Sequence, residues 1–350
     1  MQLYATRLLS AVGFLYSLQK GRTENLTFAV NNDTMKRVRR KKIPTRRFGG
    51  KMKTKQEAPC ERKRRSGDRK DAYLVRNLDA MHKFTPYLLP NRCDNEAVMS
   101  ELIDLTEVKK YVAKLNENNL DFKYTLFHVL CAAIAKTVAL RPKLNWFVQG
   151  HRLYERKALS LSFVVKKKFE DDSYEALAII DIDKEGESPV KQIHDKVEKF
   201  VTAVRKHGHT DGTTGFMEMF TKLPRCLLRI LVGILMWLDY HGWVPKDVTK
   251  EDPYNSTVFI SNLGSIKMHA SYHHLTNWGT NSLFAIIDEK HMHPFYDADG
   301  NVEMREALRL GLTVDERIAD GVYFANSLKI LRKLLSKPEL LDLPIETPVA

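Results

Sequence analysis

The stretch Leu312-Thr-Val-Asp-Glu-Arg-Ile-Ala-Asp-Gly321 marks a change of period in the chain. Upstream, over residues 302–314, apolar and polar side chains alternate as in a half-buried strand. Downstream, over about 319–335, apolar residues recur at helical spacing until Pro338 halts the run. At the junction Asp320 can cap the helix and Gly321 can take a tight turn. A strand handing over to a helix in so few residues points to an α/β or α+β domain rather than to repeats or low complexity.

Outward from that junction the same texture continues. Strands are predicted over 256–261 and 282–287, the latter joined to the 302–314 strand by a turn at 297–301 containing Asp299-Gly300. Residues 223–238 (LPRCLLRILVGILMWL) fall short of the roughly 20 residues of a membrane span and carry Arg225 and Arg229, which predicts a buried or lid-like helix. An interfacial membrane helix is the alternative reading of that segment. Pro189 opens an amphipathic helix to about 206, with Ile193, Val197, Val201 and Val204 on one face. Two strands precede it, over 158–166 and 175–182. Residues 125–140 are apolar over most of the circumference and stop before Pro142, as a core helix would. Residues 96–105 alternate like a strand, after which Thr106 is placed to cap a helix to about 116 and Glu107 to complement its positive end.

Four segments taken together resemble a known family: Asp315-Glu316-Arg317-Ile318-Ala319-Asp320-Gly321, the run Thr257-Val-Phe-Ile-Ser261-Asn262-Leu263-Gly264, the helix ending in Pro142-Lys-Leu-Asn145, and Ile103-Asp-Leu-Thr106. Their order and spacing, with Ser261 55 residues before Glu316, are similar to those of the chloramphenicol acetyltransferase-like superfamily. Within it, the chain resembles the catalytic domains of 2-oxoacid dehydrogenase acyltransferases, whose penultimate strand commonly ends in Asp-His-Arg-x-x-Asp-Gly. The likeness spans nearly all of residues 71–345 and implies a two-layer α/β sandwich with a mixed β-sheet and helices packed on it. It further implies a homotrimer with active sites between subunits, where an acyl-coenzyme A co-substrate meets the thiol or hydroxyl of a small-molecule acceptor.

In that family the histidine takes the acceptor's proton, the serine hydroxyl holds the tetrahedral oxyanion, and the aspartate is structural and pairs with an arginine. Carried over residue by residue, Ser261 becomes the oxyanion donor, Asp320 the structural acid, and Asn262 and Gly264 the turn on the coenzyme side. Glu316 stands where the family keeps its histidine. An ordinary carboxyl titrates about 2 units below an imidazole, so proton transfer from a thiol is about 3 kcal/mol harder, and a carboxylate also repels the developing thiolate. Two functions therefore stay open: an acyltransferase using Glu316 or the nearby His273 and His274, or a catalytically impaired trimer that binds acyl-CoA or serves as a scaffold. The plain reading of His273 and His274 is that of surface-loop histidines.

The remaining composition sets limits. Of the 56 Lys and Arg and 43 Asp and Glu, residues 1–70 hold 20 and 5, leaving 36 against 38 in residues 71–350. The basic character belongs to a tail, residues 1–70, which lacks apolar periodicity from Met35 onward and reads as a disordered, solvated extension in preference to a nucleic-acid or anionic-membrane binder. Its composition offers no lipoyl or peripheral-subunit-binding domain, so the chain is expected to act alone, outside a dehydrogenase complex. Four cysteines at wide spacing suit a reducing cytoplasm. No nucleotide-binding glycine motif, zinc-protease motif or hydrolase elbow occurs, and His291 and His293 lack further ligands at metal-binding spacing.

Overall fold

Strand β10 (Val302–Asp315) organises the molecule because it is long enough to pair with three others. Its second half lies between β2 (Glu96–Asp104) and β8 (Leu283–Ile287), both antiparallel to it. Its first half forms a hairpin with β9 (His291–Tyr296) across the 297–301 turn. Strand β9 was not expected from the sequence. It holds Pro294, which a strand tolerates when it pairs on one side only. The computed structural model describes residues 62–350 apart from 119–120, 167–174, 187, 208–220, 246–248, 250–251, 270–271 and 350.

From β8 the sheet continues through β7 (Val258–Asn262), β5 (Leu159–Lys166) and β6 (Glu175–Ile182). Pairings β5·β7 and β7·β8 are parallel and the others antiparallel, so the sheet is mixed. One face carries Val258, Ile260, Leu283, Ala285, Leu308, Leu310 and Val314, and these bury against a layer of helices. That layer comprises α2 (Thr106–Leu115), α3 (Leu126–Leu140), α4 (Pro189–His207) and α6 (Gly321–Ser336). This is the two-layer sandwich expected. The opposite face carries Phe259, Phe284 and Ile286, covered in part by Leu275 from the loop before β8.

Helix α3 explains why the helical layer holds. Its residues from His128 to Val138 are all buried, and Thr125 caps it in a box with His128, whose Nδ1 lies 2.9 Å from the Thr125 amide. Burial, helped by the neighbouring His194, pushes His128 down to about 4, so it serves as a neutral acceptor. Lys136 reaches out of this apolar helix to the carbonyls of Leu340, Leu343 and Pro344 at 2.7, 3.1 and 3.1 Å. Burial lowers its pKa, partly offset by Asp342.

A second, small sheet escaped the sequence reading: β1 (Ala72–Leu74), β4 (Arg152–Arg156) and β3 (Trp146–Gln149), in that order. The compact unit also begins earlier than the change in composition, at Arg62. Asp68 is the reason: it accepts from the Arg65 and Leu74 amides at 2.8 and 3.0 Å and from Arg76 at 2.8 Å. Burial acts to raise Asp68, but these donors outweigh it and hold the carboxyl at about 2. The tail up to residue 61, with the nucleic-acid and membrane readings attached to it, lies outside the described residues.

Helix α5 (Arg225–His241) corrects a further expectation. It is not buried: Ile230 is 60% and Trp237 53% exposed, and Asp239 is its one buried residue. Among the described residues, no helix is long and apolar enough to cross a membrane.

Candidate active site

The loop after β10 is rigid because its charges are paired inside the protein. Asp315 is fully buried and takes a two-pronged bond from Arg317, with Nε to Oδ1 at 2.8 Å and Nη2 to Oδ2 at 2.7 Å. The same guanidinium donates through Nη1 to the carbonyls of Leu89 and Pro90 at 3.0 and 2.9 Å, just beyond α1 (Ala80–Leu88). The pair is thus desolvated but fully hydrogen-bonded, the condition under which a buried ion pair is tolerated. Between the two, the Glu316 amide donates to the Asn95 carbonyl at 3.0 Å, and the Glu316 side chain is left exposed.

Asp320 caps α6, accepting from the Tyr323 amide at 2.8 Å, and Gly321 starts the helix. Among the described residues no arginine forms an ion pair with Asp320. Asp315 makes the buried guanidinium pair instead, because Arg317 sits two residues on and turns back to it.

Ser261 and Asn262 end β7, and Gly264 follows in a short 3-10 turn (Leu263–Ile266). A side chain at Gly264 would meet the Asp288 carbonyl oxygen at 2.5 Å, so only glycine permits this approach of the turn to the end of β8. Alternation along β7 puts Ser261 on the same side as Phe259, the face without helices. His273 lies there too: its ring stacks on Phe284 at 4.3 Å, while Phe284 stacks on Phe259 at 4.8 Å. His274 stacks on His273 at 4.5 Å and is exposed. Both lie in the loop before β8, His273 half-buried. His291 and His293 sit on β9, and the one cluster of potential metal ligands among the described residues is elsewhere, at His194, Asp195 and Glu198 on α4.

Strand register separates Ser261 from Glu316 within one chain. Ser261 is level with Ile286 near the end of β8, whereas the Asp315 amide bonds to the Ser282 carbonyl just before β8 begins. Four positions at about 3.3 Å each, together with the offset between strands, put the two at opposite ends of the sheet.

Behind the loop is a cavity of about 160 Å³ lined by Arg92, Gln149, His151, Asp239, Asn277 and Arg317, among others. Arg92 donates to the carbonyls of Thr276 and Val148 at 2.6 and 2.9 Å, and its Nε stands 3.7 Å from Asp315. Burial lowers Arg92 to about 10 against the opposing pull of Asp315. Asp239 brings α5 to this place: the Gln149 amide donates to its carboxylate at 2.8 Å and the Gly279 amide at 3.1 Å. Burial raises the Asp239 pKa despite those donors. Gly150 has φ +56, and a side chain on it would lie 2.8 Å from the Tyr240 carbonyl, so the β3–β4 turn can touch α5 only through glycine. None of Arg92, Gln149, His151 or Asp239 was singled out from the sequence, since they lie on separate short elements and on α5 and meet only in the folded chain. The pair Gly150-His151 between two apolar runs was the available signal.

Comparison with known proteins bears on this geometry. The family model for the 2-oxoacid dehydrogenases acyltransferase (catalytic domain) matches residues 245–343, the part that carries Ser261, Glu316 and Asp320. Among curated proteins, none matches the sequence. A probable dihydrolipoamide acetyltransferase from Listeria monocytogenes superposes with a TM-score of 0.50 at 14% identity, covering 75% of this chain and 94% of that one. The cubic core of a pyruvate dehydrogenase multienzyme complex gives 0.50 at 17%, covering 77% and 94%. The Azotobacter vinelandii dihydrolipoamide acetyltransferase, in which a serine, a histidine and an asparagine were studied for their role in the catalytic mechanism, gives the same values. At such identities the likeness establishes the fold.

Proposed function

Since this chain has the chloramphenicol acetyltransferase-like fold and residues 245–343 match the catalytic domain of the 2-oxoacid dehydrogenase acyltransferases, we propose that it moves an acyl group from a coenzyme A thioester to a small thiol or hydroxyl acceptor. The observation that carries this is the split site. Ser261 is half-buried on the helix-free face, Glu316 is exposed at the far end of the sheet, and each is held by a rigid neighbouring structure. Two such halves form a crevice when a second copy supplies the missing one, as in a homotrimer. In that crevice the acceptor oxygen or sulfur attacks the thioester carbon, the Ser261 hydroxyl holds the oxyanion, and the C–S bond breaks. Glu316 takes the acceptor's proton and the departing coenzyme A thiolate receives it.

The test is thiol release from acetyl-CoA by the purified full chain. Glu316→Gln is expected to cut the rate by about 10²-fold or more while leaving the assembly intact in sedimentation. An unchanged rate removes Glu316 from the mechanism. One observation favours a second reading: a carboxylate in place of imidazole suits a protein that binds acyl-CoA without turning it over. In that case acetyl-CoA raises the melting temperature but no thiol appears.

A further inference from the structure

We propose that helix α5 docks this protein on an anionic membrane surface, lying in the plane of the lipid headgroups. Leu227, Ile230, Ile234 and Trp237 recur at steps of three and four, so they form one stripe along the helix, and each is half exposed or more. Leu228, Leu231, Leu235 and Leu238 form the neighbouring stripe and are half-buried. Removing the exposed stripe from water is favourable, and a monomeric protein in water rarely leaves one of this extent uncovered.

Charge selects what covers it. Arg225 and Arg229, four residues apart, flank the stripe, Lys222 precedes the helix, and all three are exposed. Among the described residues none of the three has an ion-pair partner. Asp239 is the one carboxylate in residues 221–245, and it is buried under bonds from Gln149 and Gly279. The exposed face is thus apolar with a positive border and no negative group, which suits lipid chains beneath it and anionic headgroups beside it. A second copy meeting this face with its own would bring arginines toward arginines.

Aromatic rings fix the depth. Trp237 and Trp243 stand edge-on at 5.3 Å, His241 stacks on Trp243 at 4.8 Å, and both tryptophans are more than half exposed. Amphipathic rings of this kind settle at the boundary between lipid chains and headgroups. The helix cannot cross the bilayer instead. Its 17 residues run about 25 Å, short of the roughly 30 Å hydrocarbon core, and Asp239 ties its last turn into the protein.

The test uses the full-length protein with vesicles of phosphatidylcholine alone or mixed with phosphatidylserine. The mixed vesicles are expected to bind at least about tenfold more tightly, and brominated acyl chains in them to quench tryptophan fluorescence. Residues 1–61 are rich in Lys and Arg but hold no tryptophan, so vesicle binding through them alone leaves the fluorescence unquenched. Ile230→Glu combined with Ile234→Glu is expected to abolish quenching. Arg225→Gln combined with Arg229→Gln is expected to weaken the affinity read from quenching about tenfold or more. Sedimentation stays unchanged in both variants. Binding without quenching, no preference for the mixed vesicles, or quenching that survives the two glutamates overturns the proposal. So does a lower sedimentation coefficient in the glutamate variant, which assigns the face to a second copy. If that variant fails to fold, the arginine pair decides, and an unchanged affinity overturns the proposal.

Discussion

Helices α3 and α5 are both apolar and of nearly equal length, yet the protein treats them in opposite ways. Eleven consecutive residues of α3, His128 to Val138, are buried, and Lys136 and Thr137 among them find carbonyl partners inside the core. In α5 Ile230, Ile234 and Trp237 are exposed, Leu228, Leu231, Leu235 and Leu238 are only half-buried, and the single buried residue is Asp239. Apolar composition therefore tells that a helix needs a covering surface, but not whether its own chain provides it. α3 is held by area removed from water; α5 is held at one end by hydrogen bonds to Gln149 and Gly279.

Cysteine chemistry offers the sharpest contrast. Cys226 on α5 is exposed, while Cys131 on α3 is buried, its thiol pushed far up by desolvation. A thiol reagent in the native state should modify Cys226 faster than Cys131 by on the order of 10³ or more, with peptide mapping as the readout. Comparable rates would mean that α3 opens readily. Next comes Leu130→Ala in α3, expected to cost about 2–5 kcal/mol in denaturant unfolding because the site cannot collapse around the lost methyls. A loss under 1 kcal/mol would remove α3 from the centre of the core.

For α5 the informative variant is Asp239→Asn with unfolding followed against pH. Folding raises the Asp239 pKa above its ordinary value near 3.8, so its contribution is fully present below that value and is lost as pH rises through the folded pKa. The wild-type melting temperature minus that of the variant should accordingly decline as pH increases from about 3.8. A flat difference would mean that α5 is held otherwise. The smallest effect is expected from Ile230→Ser, within about 0.5 kcal/mol, since the side chain leaves no cavity behind. A loss of several kcal/mol would show that this face of α5 is covered in the working assembly.

This contrast also marks how far the sequence could be read. The strand ending at Asp315 and the helix after Asp320 were legible because the hydrophobic period changes across two residues, and β5, β6, α3 and α4 were legible by the same means. Strands β1, β3 and β4 were not, since each is short and β3 and β4 are joined by only two residues, so their alternation is indistinguishable from a loop. Strand β9, with Pro294 and two histidines, looks like a connection until its pairing with β10 is known. At the candidate site, Ser261, Glu316 and Asp320 came from resemblance. The partners that shape the cavity did not, because Arg92, Asp239 and Gln149 are far apart in sequence and meet only through folding.

The ammonium of Lys136 has a consequence for how the molecule comes together. Its three carbonyl partners lie about two hundred positions later in the chain, near the carboxy terminus. Until residues 340–344 arrive, the central helix holds a positive group that has no place in an apolar layer. During synthesis, then, the core stays open toward water until residues 340–344 have emerged and packed against the helix.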